Sequence, residues 1–140
     1  MKAFLFALFV FVALPAHAAG VTVRDAWIRY INAGVPAAGY FTLVNDTDRP
    51  VRLTGVTSPV FKEAMLHKTM MGSGMARMES VPSIEVPAHG ELEVAPGGYH
   101  VMLIGPLRKL SPGDRVPIIL EFAGGDTVTA QFTARGATAR

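Results

Sequence analysis

The sequence predicts an all-β sandwich or barrel, on three observations. Short runs of alternating apolar and polar residues recur from Val21 to Thr133. Ten prolines and 14 glycines interrupt those runs at close spacing. No segment keeps a 3.6-residue apolar period, so little helix is expected beyond the leader.

Residues 1–18 read as a secretory signal peptide. Lys2 supplies a positive n-region, Ala3 to Leu14 is unbroken and apolar, and Ala16-His17-Ala18 offers an A-x-A cleavage site. The apolar run is too short for a comfortable membrane span. Cleavage would leave residues 19–140 as a single domain, exported to a Gram-negative periplasm with no stable membrane insertion. About 120 residues suffice for a core that buries roughly two-thirds of the unfolded surface.

The expected strands follow in order. Val21–Val23 and Ala26–Ile28 lie in an alternating opening segment, with Trp27 assigned to the core. Ala37–Val44 closes on the turn-rich Asn45-Asp46-Thr47-Asp48, then come Val51–Val56 and Phe61–His67. Met70-Met71-Gly72-Ser73-Gly74-Met75 reads as a loop or hairpin. Arg77–Glu79, Ser83–Val86 and Glu91–Val94 are short strands, and His89 falls in an exposed turn. Tyr99–Ile104, Val116–Phe122 and Thr127–Thr133 complete the domain. Ser111-Pro112-Gly113-Asp114 is a turn, and residues 135–140 are expected to fray.

Composition excludes several functions. Thirteen basic and 11 acidic residues give a formal charge of +2, falling to +1 without Lys2. No Lys/Arg cluster with interleaved aromatics is present, so nucleic acid is not expected as a partner. The absence of cysteine removes disulfides, thiol catalysis, thiolate metal sites and the blue-copper centre, which needs a Cys sulfur.

What remains is a spacing, His67-x10-Met78-x21-His100-x-Met102. Tyr99 to Ile104 alternates as a strand, so His100 and Met102 share a face. If His67 and Met78 converge on that face, two imidazoles and two thioethers form a neutral cluster. Thioether sulfur suits Cu(I), whereas magnesium and calcium need oxygen, and zinc takes its sulfur as thiolate. Four neutral donors also leave less charge to bury with a monovalent ion than with a divalent one. Imidazole must be neutral to bind, so affinity should fall as pH drops through about 6.5. Met65 shares a face with His67 and is assigned to packing beneath the site. Met70, Met71 and Met75 stay open between loop packing and transient sulfur contacts. Glu63, Glu79 and Asp114 are candidate partners for a ligating imidazole.

This four-residue spacing resembles the signature of the periplasmic copper chaperones of the PCu(A)C family. Ala37-Ala38-Gly39-Tyr40, Pro96-Gly97-Gly98-Tyr99-His100 and Gly113-Asp114 are also similar to that family's text. The resemblance covers residues 23–133. It implies a cupredoxin-like, immunoglobulin-like Greek-key β-sandwich with His67, Met78, His100 and Met102 as metal ligands. It further implies Cu(I) carriage towards cytochrome c oxidase (CuA) assembly, with oxidase subunit II and a thioredoxin-like copper assembly protein as partners.

Two other readings compete. A secreted structural or adhesive sandwich would carry the methionines incidentally. A copper oxygenase could use an N-terminal His17 if cleavage fell after Ala16, but no second histidine follows nearby to complete a brace. No other nucleophile–base arrangement stands out, so a non-enzymatic role is expected.

Overall fold

The computed structural model describes residues 18–138, so the leader assigned to residues 1–18, with His17, lies outside the described residues except for Ala18. Ten strands follow: β1 (Val21–Arg29), β2 (Ala37–Asn45), β3 (Val51–Thr57), β4 (Phe61–Gly72), β5 (Met75–Ser80), β6 (Ile84–Val86), β7 (Glu91–Val94), β8 (Tyr99–Pro106), β9 (Arg115–Phe122) and β10 (Thr127–Arg135). No helix occurs among the described residues, and the fold is the expected all-β, cupredoxin-like type.

Hydrogen bonding runs continuously in the order β5-β4-β8-β2-β1-β10-β9-β3-β6, with β7 added beside β2. The sheet folds over at β1 and β10, which pair in parallel through Trp27 and Thr133, while the other described pairs are antiparallel. Inward residues of the β4-β8-β2-β1 half (Leu66, Val101, Leu103, Leu43, Ile28) and of the β10-β9-β3 half (Phe132, Ile118, Leu120, Leu53) are buried in one apolar cluster. Each is the inward member of an alternating pair, which is why short strands with a period of two were enough to build it.

Gly39 lets the halves close on each other. A β-carbon there would lie 3.3 Å from Val101 Cβ and 3.5 Å from the Phe132 ring, so a larger side chain would push the ring away. Asn45 is the polar exception, fully buried. Its amide donates to the carbonyls of Arg49 and Pro87 at 2.8 and 3.0 Å, and its Oδ1 accepts from Thr47 N and Thr47 Oγ1. Asn45→Ala would leave these groups unpaired, and we expect it to cost about 3 kcal/mol, read as a lower urea midpoint at unchanged slope.

Three expectations are corrected or made specific. β4 does not stop at His67; it runs on to Gly72 and returns as β5, so of the two alternatives for the Met-rich stretch, loop or hairpin, the hairpin is the one observed. Ser73 and Gly74 both have positive φ (52° and 75°), the combination that a two-residue turn matched to strand twist requires. Second, Trp27 is buried as expected, though it packs outside the main cluster. A bulge between Arg24 and Trp27, with Asp25 at φ 53°, inserts one residue and reverses the alternation, so Trp27 and Arg29 emerge on the outer face. Third, Arg135 does not fray: it pairs with Arg29 in the ladder and its guanidinium lies 4.8 Å from the Trp27 ring.

Candidate metal centre

β4 and β8 are antiparallel partners in a register that sets His67 opposite His100 and Met65 opposite Met102. Directly opposed residues share a face, so all four side chains rise from one surface of the sheet. On the far side of β4, β5 places Met78 opposite Thr69 and Ser80 opposite His67, again on that face. On the far side of β8, β2 sets Ala38 opposite Met102.

The two imidazoles have ring centroids 5.7 Å apart, with their planes at 63°. With metal–nitrogen bonds of about 2.0 Å and a centroid about 1.2 Å behind each nitrogen, two imidazoles on one ion sit about 5.2 Å apart at a tetrahedral angle and about 6.4 Å apart in line. The observed spacing falls between these limits. Each ring also keeps one buried nitrogen without a hydrogen-bond partner, Nδ1 of His67 and Nε2 of His100. Buried polar atoms are rarely left unpaired, and a lone pair reserved for a metal is one physical reason for an exception.

The neighbours fit one metal-binding tautomer of each ring. For Nδ1 of His67 to offer its lone pair, the ring must carry its proton on Nε2, and Ser80 Oγ lies 3.3 Å from that atom to accept it. His100 makes a hydrogen bond with the Gly98 backbone, which leaves Nε2 as the free nitrogen. Ser80 carries no charge and had not been singled out as a partner. The Ser80–His67 pairing depends on the β4–β5 register, and only a correctly placed hairpin turn would have disclosed it.

Two of the three carboxylates expected to support the imidazoles do other things. Glu79 faces away from Met78 and pairs with Arg77 at 3.5 Å, and Asp114 caps a distant turn beside Arg108. Glu63 lies four residues before His67, opposite Ile104. Among the described residues no three His, Cys, Asp or Glu side chains cluster closely enough to hold a metal. The donors expected beside His67 and His100 are the thioethers of Met78 and Met102.

Met78 and His100 line the same cleft of about 330 Å³, together with Tyr40, Ala38, Thr69 and Gly97. Met78 is 61 % exposed and His100 only 5 %. The cleft is thus open on its methionine side and closed on its imidazole side. Met102 does not line this cleft; it lies half-buried one alternation further along β8, between Met65 and Ala38. The structure therefore pairs His67 with His100 across β4 and β8 and sets Met78 with His100 in the cleft, which His67 does not line, while Met102 shares a strand with His100. The floor beyond Tyr40 is an aromatic–cation stack, with Trp27 4.8 Å from Tyr40 and the Arg29 guanidinium 5.4 Å from the Tyr40 ring. His89, at the opposite turn, is exposed as expected and pairs with Asp48 at 2.7 Å.

Burial pushes the His100 pKa below its ordinary 6.5, the Gly98 hydrogen bond opposes that shift, and the nearby His67 ring adds a small repulsion. The proton competition expected at 6.5 is therefore moved to lower pH at this residue. The unfolded chain takes up a proton on His100 near 6.5 while the fold resists it. Stability is thus complete above that value and is lost as pH falls towards the folded-state pKa. We expect the urea midpoint of the metal-free protein to drop between pH 7.5 and pH 5, and the drop to be smaller in His100→Gln.

Comparison with known proteins identifies the family and the fold. Residues 21–134 match the family model described as "Putative lipoprotein LpqE-like". The chain is 32% identical over 112 residues to the "Putative lipoprotein Lxx21020" of Leifsonia xyli subsp. xyli (strain CTCB07), a match covering 79% of this chain and 67% of that one. It spans 62% of the length of a second relative, protein RP573 of Rickettsia prowazekii (strain Madrid E), at 29% identity. Among solved structures it is similar to the copper-bound PCuAC domain from PmoF2, with TM-score 0.70 and 26% identity, covering 88% of this chain and 99% of that one. DR1885 from Deinococcus radiodurans is similar in two solution structures. Its apo form has TM-score 0.65 and 34% identity, covering 97% of this chain and 94% of that one. Its Cu(I) form has TM-score 0.64 and 33% identity, covering 89% and 81%. With the sandwich, the opposed histidines and these matches in hand, the chain belongs to the LpqE-like family and is a PCu(A)C domain.

Proposed function

We propose that this protein is an exported copper chaperone that binds one Cu(I) ion as cargo through His67, Met78, His100 and Met102. The observation that carries the reading is the His67–His100 pair, two cross-strand rings 5.7 Å apart, each with a buried nitrogen lacking a partner. Thioethers in place of thiolates or carboxylates favour the cuprous ion, because they are soft and bring no charge. Copper-bound forms of the PmoF2 domain and of DR1885 support the same reading. The lipoprotein description of the matching family supports export, with the periplasm as the compartment.

Carriage, and not catalysis, follows from the ligand set. Met78 stands at the open side of the cleft, so an acceptor's donor atoms reach the ion by displacing that thioether first. The imidazoles, held by Ser80 and Gly98, release last. No proton is transferred and no bond of an organic substrate is broken. The acceptor we infer is the CuA site of cytochrome c oxidase subunit II, reached with a thioredoxin-like copper protein. Anaerobic titration with Cu(I) tests the binding step: one equivalent should bind, and the His100→Ala, Met102→Ala double variant should bind none. Equal stoichiometry in the two proteins, or tighter Cu(II) than Cu(I) binding at these residues, would reject the assignment.

A further inference from the structure

The hairpin carries more sulfur than a four-ligand site needs. Met71 is 75 % exposed and Met75 71 %. Burying a methionine side chain stabilises a fold by about 1.5–3 kcal/mol, so neither is placed for packing. Their faces differ. Met71 lies opposite Ala76 and Met78 opposite Thr69, so Met71 and Met78 are diagonal neighbours on the face that carries His67. Met70 lies opposite Arg77 and Met75 opposite Gly72, which puts those two on the other face.

Along β4 the site-side row reads Met71, Thr69, His67, in steps of about 7 Å for each pair of residues. Met78 stands beside Thr69, midway along the row between Met71 and His67. Ala76, opposite Met71, is too small to block either thioether. Met71 and Met78 are therefore two soft donors lying between the exposed hairpin tip and the half-buried His67 and buried His100.

We propose that Met71 is a fifth donor and a third sulfur, which with Met78 forms an outer thioether pair where Cu(I) is received before it moves inward to His67, His100 and Met102. This rests on the assignment of those four residues as a Cu(I) site. The step is ligand substitution: a bond from Met71 Sδ to Cu(I) forms as a bond to the delivering molecule's soft donor breaks. Charge, oxidation state and proton count do not change. Because Met71 is tethered beside Met78, its sulfur acts at a high effective concentration, and the ion is held while the next bond is made.

The test uses the full exported chain with [13C-methyl]methionine and Cu(I) supplied as a coloured chelator complex. Two readouts are taken: methionine methyl shifts during titration, and the stopped-flow rate of copper uptake. The Met71 methyl should shift together with that of Met78, and those of Met70 and Met75 should stay in place. Met71→Leu keeps the volume and removes the sulfur; it should slow uptake by roughly tenfold while lowering equilibrium affinity less than about threefold. Met75→Leu, with the same chemistry on the other face, should leave both quantities unchanged. A stationary Met71 methyl, or equal uptake rates in Met71→Leu and wild type, overturns the proposal while leaving the four-ligand site intact. Failure of the wild type to take up Cu(I) at all overturns both.

Discussion

Replacing His100 by alanine is expected to lower Cu(I) affinity by at least roughly 10²-fold, because even partners that only orient a ligand are worth 10–100-fold and His100 is placed to bind the ion itself. Two features make it the most sensitive position. Its ring is buried, so no water is at hand to replace the lost nitrogen, and its Nε2 has no other partner to return to. His67→Ala should cost a similar factor. Ser80→Ala should cost less, about tenfold, since it only releases the His67 tautomer. Met78→Leu and Met102→Leu separate the open donor from the half-buried one. Loss at Met78 should speed copper release, and loss at Met102 should weaken binding without opening the cleft. Competition against a Cu(I) chelator under anaerobic conditions ranks the five variants. Wild-type affinity in His100→Ala would remove this residue from the site.

The second large effect is structural. Phe132→Ala should destabilise the domain by about 3–5 kcal/mol, a large share of the 5–15 kcal/mol that holds a domain of this size. Phe132 is fully buried, meets Phe41 edge-on with centroids 5.6 Å apart, and fills the space that Gly39 leaves beside Val101. β2, which carries Gly39, also lines the site with Ala38 and Tyr40, so the cavity would loosen the cleft from below. Free Cu(I) at 100 times its dissociation constant should restore about 2.7 kcal/mol through binding to the native state alone. Denaturation midpoints of wild type and variant, with and without Cu(I), check both numbers. A Phe132→Ala loss under 1 kcal/mol would mean that the two halves of the sandwich close without this ring.

Several elements were legible because their signal is local. β7 has the bounds its alternation predicts, and the His100–Met102 relation follows from adjacency in one strand. Other features depended on a single unusual residue. Asp25 at positive φ reverses the face of Trp27, and nothing in the apolar pattern distinguishes a bulge from a turn there. Ser73-Gly74 lacks the Asn-Gly or Asp-Gly pair that most plainly marks a two-residue turn, so the hairpin and the faces of its methionines stayed undecided.

Residue types and their periodicity determined the all-β class and the exclusion of thiolate chemistry, and the resemblance to the PCu(A)C spacing nominated the four candidate donors, because hydropathy alternation and donor softness belong to the side chains. Only the tertiary structure decided which nitrogens are left without partners, which methionine stands at the open side and which sulfurs share a face with the histidines. Those properties come from strand register, and register is set by turns and bulges whose one-residue shifts move every side chain to the opposite face.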